Sequence, residues 1–172
     1  MKLVGKRILY LLDEGFEDLE FYVPLMRLQE EGASVTVVGP RLKTVRGKHC
    51  LEATPDKIAA EVQAQDFDAI VVPGGWAPDK LRRDPRIVAL VREMYQQGKI
   101  VAAICHAGSV LISAGIVRGH KATGSEGIKD DLINAGAEWV DQPAFRDGNL
   151  VWGRVVKDIP DFCRELVQAL SG

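Results

Sequence analysis

Short runs of β-branched and aliphatic residues alternate along this chain with longer stretches of helical periodicity, and that alternation restricts the fold more than any other feature. RILYLL (7–12), SVTVVG (34–39), DAIVV (68–72) and IVAAI (100–104) are too short for helices, and stretches such as FYVPLMRLQEEG and DPRIVALVREMYQQ separate them. Strands spaced by helices pair in parallel and need helices over the sheet, so the chain reads as one α/β layered sandwich. IVAAI is continuously apolar rather than alternating, which predicts a central strand buried on both faces.

The punctuation agrees. Gly32 is placed to stop the first helix, whose first turns hold Pro24. Asp84 followed by Pro85 forms an N-cap and first-turn pair, and Ile87, Leu90, Val91 and Met94 share one face of the helix that Gly98 ends. A short helix ending at Gly115, another ending at Gly136, a hairpin around Asp147 and Gly148, and a last helix capped by Asp158 complete the expectation. RLKTVRGKHCLEATP reads as an excursion with short strands. With no linker, repeat or low-complexity tract, residues 1–172 form a single domain.

Composition narrows the function. A hydrophobic fraction of 47% fills a core, and a formal charge of -2 with interspersed signs offers no basic stripe for nucleic acid and no polybasic membrane patch. No run approaches the roughly 20 apolar residues of a membrane span, and the start turns acidic too early for a signal peptide, so a cytoplasmic location is expected. Cys50, Cys105 and Cys163 are an odd set without CxxC spacing, each expected as a reduced thiol.

Ligands of open α/β sheets collect at the carboxyl ends of strands, and three features converge there. Cys105 follows IVAAI and precedes a helix, where backbone N–H groups favour a thiolate, and Ala107 and Gly108 allow close backbone approach. Glu17, after the first strand, could bond the sulfur through its proton or tune it by charge. PGGW after the third strand lets Gly74 and Gly75 offer N–H groups to an oxyanion, together with an N–H just after Cys105. His106 meets Cys105 only if their junction is a sharp, strained turn, because adjacent helical residues point apart.

The alternatives are plain. A cysteine ending a buried strand also serves packing, Glu17 also suits a helix start, and PGG also makes an ordinary turn. Cys163 falls among Phe162, Leu166 and Val167 as a core residue. His49 and Cys50 with Cys105 and His106 lack recognised metal-ligand spacing, so no metal is expected. GxGxxG, GxxxxGK, HExxH and CxxC are all absent, and no cofactor is called for.

GFEDLE, FYVPLMRLQEEGASV, VRGKHC, FDAIVVPGGWAPDKLR, GKIVAAICHAGSVLISAGIVRG and GIKDDLINAGAEWVD occur in an order that resembles the PfpI-type intracellular protease family over nearly the whole chain. The resemblance implies a three-layer, flavodoxin-like sandwich with a mainly parallel sheet. It also implies Cys105 as nucleophile, His106 as its partner and Glu17 as the carboxyl group at the sulfur. It further implies a homo-oligomer, at least a dimer, in which the acid orienting His106 comes across an interface from position 79. Asp79 stands there in place of a common glutamate. Ser125 and Glu126 replace a tyrosine and proline, which predicts a pocket mouth more acidic and less aromatic. Arg154 is kept where a serine often precedes it, and no histidine-x-glutamate pair of the amidotransferase kind follows Leu150.

The expected activity is thiol chemistry on small carbonyl compounds, on glycated proteins or on peptides, in deglycase, glyoxalase-like or proteolytic form. The competing expectation is a redox-sensing stress protein or holdase, with an oxidised Cys105 held by Glu17.

Overall fold

A computed structural model describes residues 1–172. The chain runs through β1 (Arg7–Leu11), α1 (Asp18–Glu30), β2 (Ser34–Gly39) and three two-residue strands, β3 (Val45–Arg46), β4 (Glu52–Ala53) and β5 (Lys57–Ile58). It continues through β6 (Ala69–Val72), α2 (Ala77–Leu81), α3 (Pro85–Gln96), β7 (Ile100–Ile104) and α4 (Gly108–Ala114). Then come β8 (Lys121–Ala122), α5 (Lys129–Asn134), β9 (Glu138–Trp139), the hairpin β10 (Ala144–Asp147) and β11 (Leu150–Gly153), and α6 (Ile159–Ser171).

The central sheet has seven strands in the order β10-β11-β7-β6-β1-β2-β5, all parallel except β10. α1 and α6 pack together on one face, and α2, α3 and α4 on the other. All five residues of β7 are buried, as a strand covered on both faces requires. One apolar cluster runs from Leu3 to Leu170. Because the order reverses between β1 and β6, a crevice opens at their carboxyl ends, and the loops after β1, β6 and β7 all reach it.

Local chemistry sets the element ends. Asp84 Oδ1 accepts the Arg86 and Ile87 N–H groups at 2.8 and 3.3 Å, and the predicted apolar face of α3 is buried. α1 begins earlier than its apolar pattern suggests, because Glu17 caps it, and this places Pro24 inside the helix. Proline has no N–H to give the Glu20 carbonyl, one turn back; the Tyr10 hydroxyl donates to that carbonyl instead, at 2.7 Å.

Asp158 does not act as the side-chain cap expected of it. Arg154 holds both its oxygens, at 2.9 and 3.2 Å, and the start of α6 relies on Pro160 in its first turn. No helix is long and apolar enough to cross a membrane.

Candidate active site

Cys105 joins the buried end of β7 to the turn that begins α4, and its φ is +61°. A side chain in the left-handed region costs about 1–2 kcal/mol, so surrounding structure must hold it there. The Cys105 carbonyl accepts the Ser125 N–H at 3.1 Å, and Gly124 packs so closely that a Cβ there would lie 2.5 Å from that oxygen. The strained turn does what a helix cannot: it brings Sγ of Cys105 to 3.3 Å from Nδ1 of its sequence neighbour, His106.

Two loops are stitched together beside the thiol. Phe16 and Gly75 form an isolated antiparallel bridge, the Trp76 N–H donates to the Gly15 carbonyl at 2.8 Å, and the Glu17 N–H donates to the Gly74 carbonyl at 3.1 Å. Gly75 has φ +78°, and a Cβ on it would lie 2.4 Å from the Glu17 nitrogen, so only glycine fits. From this position the Gly75 N–H favours charge on the sulfur, as does the His106 N–H.

The carboxyl group at the sulfur is Glu20, not Glu17. Glu17 is buried, but its Oε2 accepts the Leu19 and Glu20 N–H groups at 3.0 Å as the cap of α1, and its Oε1 lies 3.4 Å from His49 Nε2. One turn on, Glu20 is wholly buried, and its Oε1 accepts the Gly74 N–H at 3.0 Å. Its Oε2 has no aligned hydrogen-bond partner, and the carboxyl group couples to the Cys105 thiol. The Gly74 N–H is thus already engaged and cannot serve an oxyanion. Ala107 is fully buried within the turn.

Glu20 could be found in the sequence once Glu17 is taken as the cap. Glu20, Pro24 and Leu28 then fall on one stripe with Phe21 and Leu25, all of them buried. An acid on a buried apolar stripe points to function.

Burial dominates the titration of this group. It pushes Glu20 up to about 8, helped by the charge of Glu17 and opposed by the Gly74 N–H. It pushes the Cys105 thiol up to about 12, with the Glu20 charge adding to the effect and the His106 and Gly75 N–H groups opposing it. The thiolate expected at a helix start therefore gives way to a resting thiol. Burial and the Lys48 charge lower His106, leaving a neutral imidazole at pH 7. Its Nδ1 faces the thiol, and its Nε2 makes no hydrogen bond within the chain.

A cavity of about 540 Å³ opens beside His106, lined by Gly75, Trp76, Ser109 and Ile128 and by the charged Lys48, Asp79, Lys80 and Arg82. The predicted acidic mouth is corrected, since three cations outnumber the one carboxylate that lines it. Glu126 lines a different cavity with Asp141 and Arg154, whereas Trp76 is exposed at the mouth with the Lys48 ammonium 5.5 Å from its ring centroid. Asp79 is exposed and pairs with Arg83.

Residues 6–169 match the sequence model of the DJ-1/PfpI family. The chain belongs to this family. Among family members it is 44% identical over 165 residues to Deglycase PH1704 of Pyrococcus horikoshii, covering 96% of this chain and 99% of that one. It is 41% identical over 171 residues to Protein/nucleic acid deglycase 2 of Escherichia coli, covering 98% and 99% of the two chains. The DJ-1/PfpI fold likewise superposes on the crystal structure of Drosophila melanogaster DJ-1beta with a TM-score of 0.91 and 30% identity, over 98% of this chain and 92% of that chain.

Proposed function

We propose that this protein is a cysteine-dependent enzyme of the PfpI type that removes small carbonyl adducts from proteins. The strained Cys105 that places its thiol 3.3 Å from the neutral His106 imidazole is the observation that carries the reading. A neutral Nδ1 accepts the thiol proton as the sulfur attacks, and the Gly75 and His106 N–H groups hold the charge that develops on it. Glu20, protonated at neutral pH, adds no repelling charge.

On an aminocarbinol adduct the C–S bond forms and the C–N bond breaks. The proton taken by His106 passes to the departing amine, the hydroxyl stays on carbon, and the fragment remains on the sulfur as a hemithioacetal. A free aldehyde gives the same hemithioacetal when the thiol adds across C=O and the same proton goes to the oxygen; for a methylglyoxal fragment the C–H proton then moves to the neighbouring carbonyl carbon, and water cleaves the resulting lactoyl thioester to lactate and the free thiol.

A cavity of about 540 Å³ has the size of a small-molecule site, which favours small adducts over extended peptides. A sensor role asks for a thiolate at rest, whereas burial keeps Cys105 protonated.

The free Nε2 of His106 supports an oligomer, at least a dimer, in which Asp79 of a second copy orients the ring. With Nδ1 accepting the thiol proton, Nε2 carries the hydrogen that such an acid receives. Three unpaired cysteines fit a cytoplasmic location.

The test is turnover of methylglyoxal-modified protein and of free methylglyoxal by the wild type and Cys105→Ser. Loss of both activities in the variant supports the reading, and equal rates in the two proteins overturn it.

A further inference from the structure

The walls of the cavity beside His106 are electrically lopsided. Three cations line it, Lys48 from the loop after β3, Lys80 from α2 and Arg82 just beyond, against one carboxylate, Asp79, which Arg83 already pairs. Arg82 is half-buried, and its Nε is fixed on Ser113 Oγ at 2.9 Å, so the guanidinium is held rather than loose and its terminal nitrogens remain as donors. The Lys48 ammonium sits over the Trp76 ring, and its charge acts on both His106 and Glu20, so its field spans the site. His106 and Glu20 contribute no charge at neutral pH, and Glu17 is turned away as a helix cap. Asp79 is the one carboxylate among the lining residues, so the cations outnumber it three to one.

A neutral dicarbonyl gains nothing from such walls, whereas a carboxylate or phosphate is drawn in and held by charge-assisted hydrogen bonds. We propose that the site selects small carbonyl substrates bearing an anionic group, a carboxylate or a phosphate, which Lys48, Lys80 and Arg82 bind while the carbonyl carbon meets the Cys105 sulfur. This rests on the proposed carbonyl chemistry but concerns recognition, which can be measured without turnover.

The first measurement is therefore alkylation of Cys105 by iodoacetate and by iodoacetamide, followed by peptide mass spectrometry. In both reactions the sulfur displaces iodide, so the reagents differ at the site by the anionic group. The iodoacetate-to-iodoacetamide rate ratio is expected to be about tenfold above that of N-acetylcysteine, and to fall toward it in Lys48→Met, in Arg82→Gln and in the wild type at high salt. Lys48→Arg restores the preference. Lys48→Met keeps an apolar stem over Trp76, and the salt series needs no variant, so misfolding cannot imitate the result.

A ratio equal to that of N-acetylcysteine, unmoved by salt or by either variant, overturns the proposal. Protection then separates the two possible groups. Glyoxylate and glyceraldehyde 3-phosphate, compared with methylglyoxal, each shield Cys105 from iodoacetamide as a reversible hemithioacetal and report carboxylate and phosphate respectively, and a lower half-protecting concentration for either one that rises in Lys48→Met supports the selection. Methylglyoxal protecting at the same concentration as both anions overturns the selection while leaving the carbonyl chemistry standing. Selective iodoacetate capture with no protection by any carbonyl and no turnover of methylglyoxal overturns that chemistry while leaving the anion site standing.

Discussion

The two ends of the central sheet each hold a half-buried histidine beside potential proton partners, and the two are built in opposite ways. At the carboxyl end of β7, His106 has one nitrogen on a thiol and the other unpartnered, beside a cavity of about 540 Å³. At the amino end, His120 has both nitrogens engaged, with the Tyr95 hydroxyl at 2.7 Å and Asp147 at 3.0 Å, and this cluster lines no cavity. Tyr95, His120 and Asp147 look more like a complete relay than Cys105 and His106 do. Completeness without access, however, ties elements together. The group joins the end of α3 to the hairpin and to β8, where Lys121 N–H also donates to Asp147 at 2.8 Å. The incomplete group, held by a strained backbone and open to a cavity, is the one that can exchange a proton with a substrate.

The sharpest way to break this contrast is to remove one sulfur and one imidazole. Cys105→Ser is expected to lose at least about 10³-fold in turnover. His120→Ala is expected to keep turnover within a few-fold and to lower stability by about 1–3 kcal/mol through the orphaned Asp147 and Tyr95, as read by denaturant unfolding. Loss of turnover in His120→Ala with its fold intact would erase the distinction.

The acid at the reactive end gives the next effect. Glu20→Gln is expected to lower turnover about 10–100-fold and to alter the pH profile. Its stability should move the other way. The folded value of about 8 lies above the ordinary 4.5, so between these values the unfolded chain releases a proton that the folded chain keeps. Stability associated with the neutral acid is complete below pH 4.5 and declines as pH rises through 8. Thermal unfolding should show the Gln variant gaining on the wild type from pH 5 to pH 8, and parallel curves would refute the buried neutral acid.

Oligomer completion predicts an effect of about tenfold. Asp79→Ala should slow turnover, and mixing it with inactive Cys105→Ser should recover activity above the sum of the separate proteins, since a mixed dimer holds one whole site. Mixtures that only average would place the acid in the same chain or nowhere. The smallest expected change is in Tyr10→Phe, which strips the Glu20 carbonyl of its donor and should cost about 1–3 kcal/mol on denaturant unfolding. An unchanged midpoint would show that the Pro24 gap needs no filling.

The elbow and its surroundings were legible because their signals are local: an apolar strand, a cysteine at its end, a glycine turn. Asp84, Pro85 and the apolar face of α3 were readable for the same reason. Glu20 was hidden by a helix start set at the first apolar run, whereas Glu17 caps the helix three residues before Glu20. α2, five residues after a glycine turn, is too short to show periodicity. The positive wall could not be read either, because Lys48 is brought to Lys80 and Arg82 by the fold, while Glu126, the acid expected at the mouth, faces elsewhere. Asp158 fits a cap by position, but Arg154 outcompetes the N–H groups for it.

The bridge between Phe16 and Gly75 has a practical meaning for anyone rebuilding this site. It is made of main chain alone, so ordinary side-chain replacement around it leaves it in place, and Gly75 is the position where a single change reaches it. The acid-bearing loop and the glycine loop therefore form one transplantable module. Grafting the cysteine turn without both loops would carry the nucleophile and leave its surroundings behind.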